Sequence, residues 1–224
     1  MRMKLKVLAM AGVILTGVTA CATEEQETTS SPEPSSESFA YICQEDLKNN
    51  EPLTSTGLPE NVGYTDSPTG FEVPISDTGG GCETLSSGTK AGFARTETGA
   101  ALAALNAALG YHPGASQAMF DEAEAKISRS NHWDQMIAGS QEYLQSGGEL
   151  PSPSQVKATG FTVTSYTPHE ASVIVYLKPV NGIQSYAMNI KLVWEKDWKI
   201  VTGPSNFYLD TATSTDKPRF TYER

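Results

Sequence analysis

Three cysteines and three histidines in 224 residues leave little material for metal or nucleophile chemistry. No H-E-x-x-H, paired C-x-x-C or G-x-S-x-G pattern occurs, so zinc-protease and serine-hydrolase readings have no support. The run "GGG" at 79–81 is not followed by the Lys-Ser/Thr of a phosphate-binding loop and reads as a flexible link before Cys82. Asn131 lacks a Ser or Thr two positions on and is no glycosylation acceptor. Positive charge is scarce as well: 16 Lys+Arg stand against 26 Asp+Glu, a formal net charge of -10. With no basic stripe to offset that field, nucleic acid is excluded as a partner. A membrane-spanning run is also missing. The apolar stretch "VLAMAGVILTGV" covers only residues 7–18, whereas a span needs ~20 apolar residues.

What is present begins at the N-terminus. Arg2, Lys4 and Lys6 precede that apolar stretch, and Val18, Thr19, Ala20 and Cys21 close it. Charge, short apolar run and small residues have the proportions of a cleaved export signal over 1–20. The terminal cysteine resembles the lipobox of bacterial lipoproteins, which implies that Cys21 is acylated and becomes the mature N-terminus. Membrane lipid is then a partner through Cys21, and the expected location is the extracytoplasmic face of the cell membrane. Without Arg2, Lys4 and Lys6 the balance is 13 against 26, a mature charge near -13.

Residues 21–39 are rich in Glu, Ser, Thr and Pro and nearly free of apolar side chains. Such a segment cannot offset its ordering entropy and reads as a disordered acidic tether. Residues 40–92 carry Gly or Pro every few positions, with apolar islands at Tyr41-Ile42, Val62–Tyr64 and Phe71–Ile75. This reads as an extended arm laid across a core. Cys43 and Cys82 sit near its ends. In an exported domain one Cys43–Cys82 disulfide is the simplest use of them, the alternative being two buried thiols. A bridge would contribute ~2–4 kcal/mol.

At "TETGAALAALNAALGY" the composition switches to a buried helix, with Thr96 or Thr98 as cap and Gly110 and "HPG" as its end. A second helix is expected over 115–129 and a third from Trp133 until "SGGELPSPS" breaks it. The last third alternates as strands do: "GFTVTSYT", "ASVIVYLK", "SYAMNIKLVW" and "WKIVTG". Asn181-Gly182 signals a tight hairpin, and Tyr186, Met188, Ile190, Leu192 and Trp194 share one strand face. The fold class is therefore α+β: an arm, two to three helices, and a curved antiparallel sheet over 93–204, followed by a polar tail at 205–224.

Helices followed by long strands ending in W-x-x-x-W-x-I resemble the nuclear-transport-factor-2-like (cystatin-like) fold, which implies a cone-shaped sheet. More narrowly, Val73-Pro74, Ser76, Gly92-Phe93-Ala94, Thr96, Gly99-Ala100, Ala103-Ala104, Trp194 and Trp198 resemble a family of exported actinobacterial proteins, over about residues 60–202. Gly81-Cys82 departs from the Gly-Pro expected there. Such proteins often accompany conjugative elements, and their sheet domain is similar to assembly domains of type IV secretion systems. The resemblance implies a non-enzymatic scaffold or docking role with a protein partner in the envelope.

No catalytic, metal or cofactor residues stand out. His112 precedes Pro113 at a helix end, His132 opens a helix with Met at the i+4 position, and His169 lies in a turn. Tyr176 and Tyr186 could line a cone cavity, but they continue an apolar face and read as core. Trp133, Tyr143, Phe207, Tyr208, Phe220 and Tyr222 are candidates for a partner surface, unless the tail docks on its own domain. Two alternatives to the scaffold remain: a small-ligand binder using the cavity, and a hydrolase or isomerase. A filled interior would favour the interaction module.

Overall fold

A computed structural model describes residues 58, 62–76, 79–150, 152–181, 185–203 and 218–221. Two short hairpins come first: β1 (Gly63–Asp66) with β2 (Glu72–Ile75), and β3 (Gly80–Thr84) with β4 (Lys90–Phe93). The helices α1 (Glu97–Gly110), α2 (Gln117–Asp121) and α3 (Ala123–Lys126) follow, then β5 (Ile127–Ser128) and α4 (Trp133–Ser146). The remaining strands are β6 (Val156–Tyr166), β7 (Glu170–Pro179), β8 (Tyr186–Trp194), β9 (Trp198–Val201) and β10 (Phe220–Thr221). One six-stranded sheet has the order β10-β6-β7-β8-β9-β5, with β5 parallel to β9 and the other pairs antiparallel. The class is α+β, as the sequence pattern implies.

The hub is α1. Thr96 caps it, its side chain accepting from Gly99 N at 3.1 Å. Twelve of its fourteen residues are buried, and it touches β2, β3 and β4 on one flank and β6 to β9 on the other. Its apolar residues do not form one stripe because the helix has no solvent side. Alanine dominates because backbones of both neighbouring layers approach closely; a larger side chain would hold them apart. Leu102 and Leu105, both 0% exposed, supply the bulk that joins this helix to Val173, Val175, Ile190 and Trp198 in one core.

Two expectations change. Where an extended arm was expected, residues 62–93 form two paired hairpins, with Val73 and Phe93 buried to 1% and 0% exposure. "GGG" is likewise no loose link: a Cβ at Gly80, whose φ is +99°, would overlap the Phe93 backbone. The glycines are there because β3 and β4 lie that close.

The single helix expected over 115–129 breaks at Glu122 (φ -88°, ψ 4°) and gives way to β5. Tertiary pairing overrides helix propensity here: Ile127 and Ser128 register with Ile200 and Val201. The third helix starts at Trp133 as expected and ends at Gly147 in the left-handed region, with Gly148 N donating to Tyr143 O. In the sheet, β6 has register shifts at 158/160 and 163/165, irregularities that bend a strand. Of the Asn181-Gly182 turn, Gly182 lies outside the described residues.

Candidate functional site

The densest set of polar contacts surrounds the start of α1. The hairpin between β8 and β9 turns through Glu195, Lys196 and Asp197, with Lys196 at φ +70°. That turn aims Asp197 back at β4. Its carboxylate accepts from Gly92 N at 2.9 Å, Phe93 N at 3.0 Å and Trp198 N at 2.8 Å. Trp198, 2% exposed, donates its indole N–H to Ala94 O at 2.7 Å. Ala94 N in turn donates to Gly79 O. A Cβ at Gly99 would overlap Ala94 O, so the helix can begin here only with glycine. The pattern Gly92-Phe93-Ala94, Thr96, Gly99-Ala100 is thus a junction clasped by Asp197 and Trp198.

Behind this clasp lies a buried cation. Lys126, 5% exposed, donates to Lys90 O at 2.5 Å and sits 5.5 Å from the Phe93 ring centroid. Burial pushes its pKa down, opposed by Asp197, Glu122 and Glu83 in that order. Glu83 is pushed up, first by burial and then by Asp197, while Lys126 lowers it. Glu122 faces the β3–β4 turn, accepting from Ser86 Oγ at 2.7 Å, Ser87 N at 2.7 Å and Ser87 Oγ at 2.5 Å. A lysine with a lowered pKa suits nucleophilic chemistry, but this ammonium is enclosed and bonded to backbone. Asp197 is likewise occupied by amides. The group ties the β3–β4 hairpin to the body.

Arg95 lies on the solvent side of the same junction. Its Nε donates to Pro168 O at 2.6 Å, Nη2 lies 2.8 Å from His169 Nδ1, and the guanidinium is 5.5 Å from the Trp194 ring centroid. Tyr166 donates to Arg95 O at 3.0 Å, and Trp194 packs edge-on against Trp198 at 5.4 Å. His169, read from sequence as a turn residue, therefore anchors the β6–β7 turn to the helix start. Sequence reasoning passed over Asp197, Lys126, Glu83 and Arg95. The one available signal was a lysine at the end of an apolar helical pattern, before Ile127.

The residues singled out from sequence are dispersed. Tyr143 packs against His112 at 5.1 Å and is hemmed by Gly114 and Gly148, where a Cβ would meet its ring. His112 Nδ1 accepts from Gly114 N, and burial pushes its pKa down. Trp133 is partly buried on the core with Arg129 over its ring at 5.3 Å. For Phe220 a partner surface gives way to intramolecular packing: it is 3% exposed, lies 5.0 Å from Phe161, and its strand pairs with β6. Tyr176 is buried, whereas Tyr186 is 38% exposed at the start of β8 rather than in the core. Cys82 is disulfide-bonded; its expected partner Cys43, with Cys21, Phe207, Tyr208 and Tyr222, lies outside the described residues. Among the described residues no group of three His, Cys, Asp or Glu could hold a metal ion, and no helix is long and apolar enough to cross a membrane.

A family model described as a domain of unknown function (DUF8175) matches residues 23–221. The chain belongs to that family. The DUF8175 match takes in both hairpins, the clasped junction and β10, so the residues read as an arm and most of those read as a tail fall within the family's domain. No curated protein and no solved structure matches the chain.

Proposed function

We propose that this DUF8175 chain is a non-enzymatic interaction or scaffold module, held by acylated Cys21 at the extracytoplasmic face of the cell membrane. Its sheet is cone-like in the manner of the nuclear-transport-factor-2-like fold. Conjugation, type IV secretion or envelope assembly is its setting, with a protein partner in the envelope. The observation that carries the reading is the occupied interior. The inner side of the sheet is covered by α1, whose two flanks both lie against protein. A ligand binder or hydrolase needs a concave site with converging polar groups. Here the converging groups around α1 are bonded to backbone amides and carbonyls.

The test is crosslinking in intact cells followed by identification of recovered proteins. Recovery of conjugation or secretion components is the expected result. A small molecule retained in the purified domain, with none of those components recovered, contradicts it. For the anchor, a Cys21→Ser chain should leave the membrane fraction; a chain that stays overturns acylation as the means of attachment.

A further inference from the structure

The exposed large apolar side chains among the described residues are Val180 at 45% and Tyr186 at 38%, both at the end of the sheet where β7 passes into β8. At that same end Lys157 and Lys178 stand directly opposite each other on β6 and β7, both exposed. Like charges in that register destabilise a sheet, and exposed apolar side chains gain nothing in water. Across residues 150–194 the sequence has a single carboxylate, Glu170, at the opposite end of β7, while Lys191 continues the outward face of β8. A chain with net charge -10 thus carries a local surface of the other sign.

We propose that this sheet end is a docking surface for an anionic lipid bilayer, with Lys157 and Lys178 at the headgroups and Val180 and Tyr186 at the interface. Lysine stems and tyrosine rings suit that boundary because each has an apolar body and a polar end. The bilayer as occupant rests on the Cys21 anchor proposed above and on the charge complementarity between these lysines and anionic headgroups. With Lys157 and Lys178 on the outward face and Tyr186, in register with Leu177, on the opposite one, the sheet would meet a bilayer end-on, and a purely acidic protein would leave Val180 unexplained.

The test uses the full acylated chain on vesicles of phosphatidylcholine alone, or of phosphatidylcholine and phosphatidylglycerol in equal parts. The readout is amide hydrogen exchange at Lys178, Val180, Asn181 and Tyr186. Phosphatidylglycerol should slow exchange there, and the pair K157E and K178E should weaken this docking roughly thirtyfold, given the usual effect of a lysine near an anionic surface. Both substitutions are at exposed positions, and exchange in α1 serves as the control for folding. Equal exchange on the two vesicles overturns the proposal. So does slowing by soluble polyglutamate without vesicles, which assigns the surface to an acidic protein instead. Loss of the chain from phosphatidylcholine vesicles counts against Cys21 alone, because docking is then still read by adding phosphatidylglycerol vesicles to the free chain.

Discussion

The two flanks of α1 are held by different physics. On the sheet side, long strands present alternating apolar residues, and Val173, Val175, Ile190 and Leu192 are each at most 2% exposed. On the hairpin side the strands have four or five residues, too few to bury much apolar area. Polar ties substitute for it. Asn106 Nδ2 donates to Pro74 O at 2.7 Å, Asp197 receives two β4 amides, Lys126 holds Lys90 O, and Glu122 holds the Ser86-Ser87 turn. Non-directional burial tolerates small changes, whereas a hydrogen-bonded tie fails when one partner is removed. The two flanks should therefore break differently.

The largest effect is expected on the sheet flank. Ile190→Ala should lower unfolding free energy by about 4 kcal/mol through lost burial and a cavity, read by denaturant titration. Next comes the clasp: Asp197→Ala should cost about 3 kcal/mol, because the Gly92, Phe93 and Trp198 amides lose a charged acceptor. Here hydrogen exchange should rise in β3–β4 well before it rises in β7–β8, since the tie holds one hairpin. If exchange rose equally across the molecule, the two flanks would be one cooperative unit and the contrast would disappear. Asn106→Leu should cost about 2 kcal/mol, with Pro74 O left unsatisfied in the interior.

The smallest effect is electrostatic and belongs to the hairpin flank. The pKa of Glu83 is raised in the folded protein, so folding favours its protonated form. Stability should then fall as pH rises from the ordinary value of 4.5 through the raised one. Glu83→Gln should remove that component from the pH profile, while Ile190→Val on the other flank should run parallel to the parent. Identical profiles for parent and Glu83→Gln would mean that Glu83 titrates as it does in the unfolded chain.

The same contrast explains which parts could be read from sequence. The strands of the sheet were legible because period-two alternation over eight or more residues survives without knowing the partner. The start of α1 was legible because Thr96 caps locally. The hairpins were not: "ISDTGGGCET" reads as turn chemistry until Phe93 is known to lie against Gly80. The clasp was less legible still. Asp197 lies 104 residues from Phe93 in sequence, and nothing in "EKDW" indicates that its carboxylate points at a distant strand. Phe220 illustrates a milder case, since an aromatic in a polar tail can equally face outward or dock, and pairing with β6 decides it.

Among the described residues α1 lies enclosed between the two layers, twelve of its fourteen residues buried. Ala104 is fully buried in that helix, and Ala104→Leu measures the space directly. Overpacking should lower the unfolding free energy by about 1–3 kcal/mol, read by denaturant titration at constant m-value. Unchanged or increased stability would show that room exists beside the helix. That result would contradict the filled interior and return the ligand-binding reading to first place.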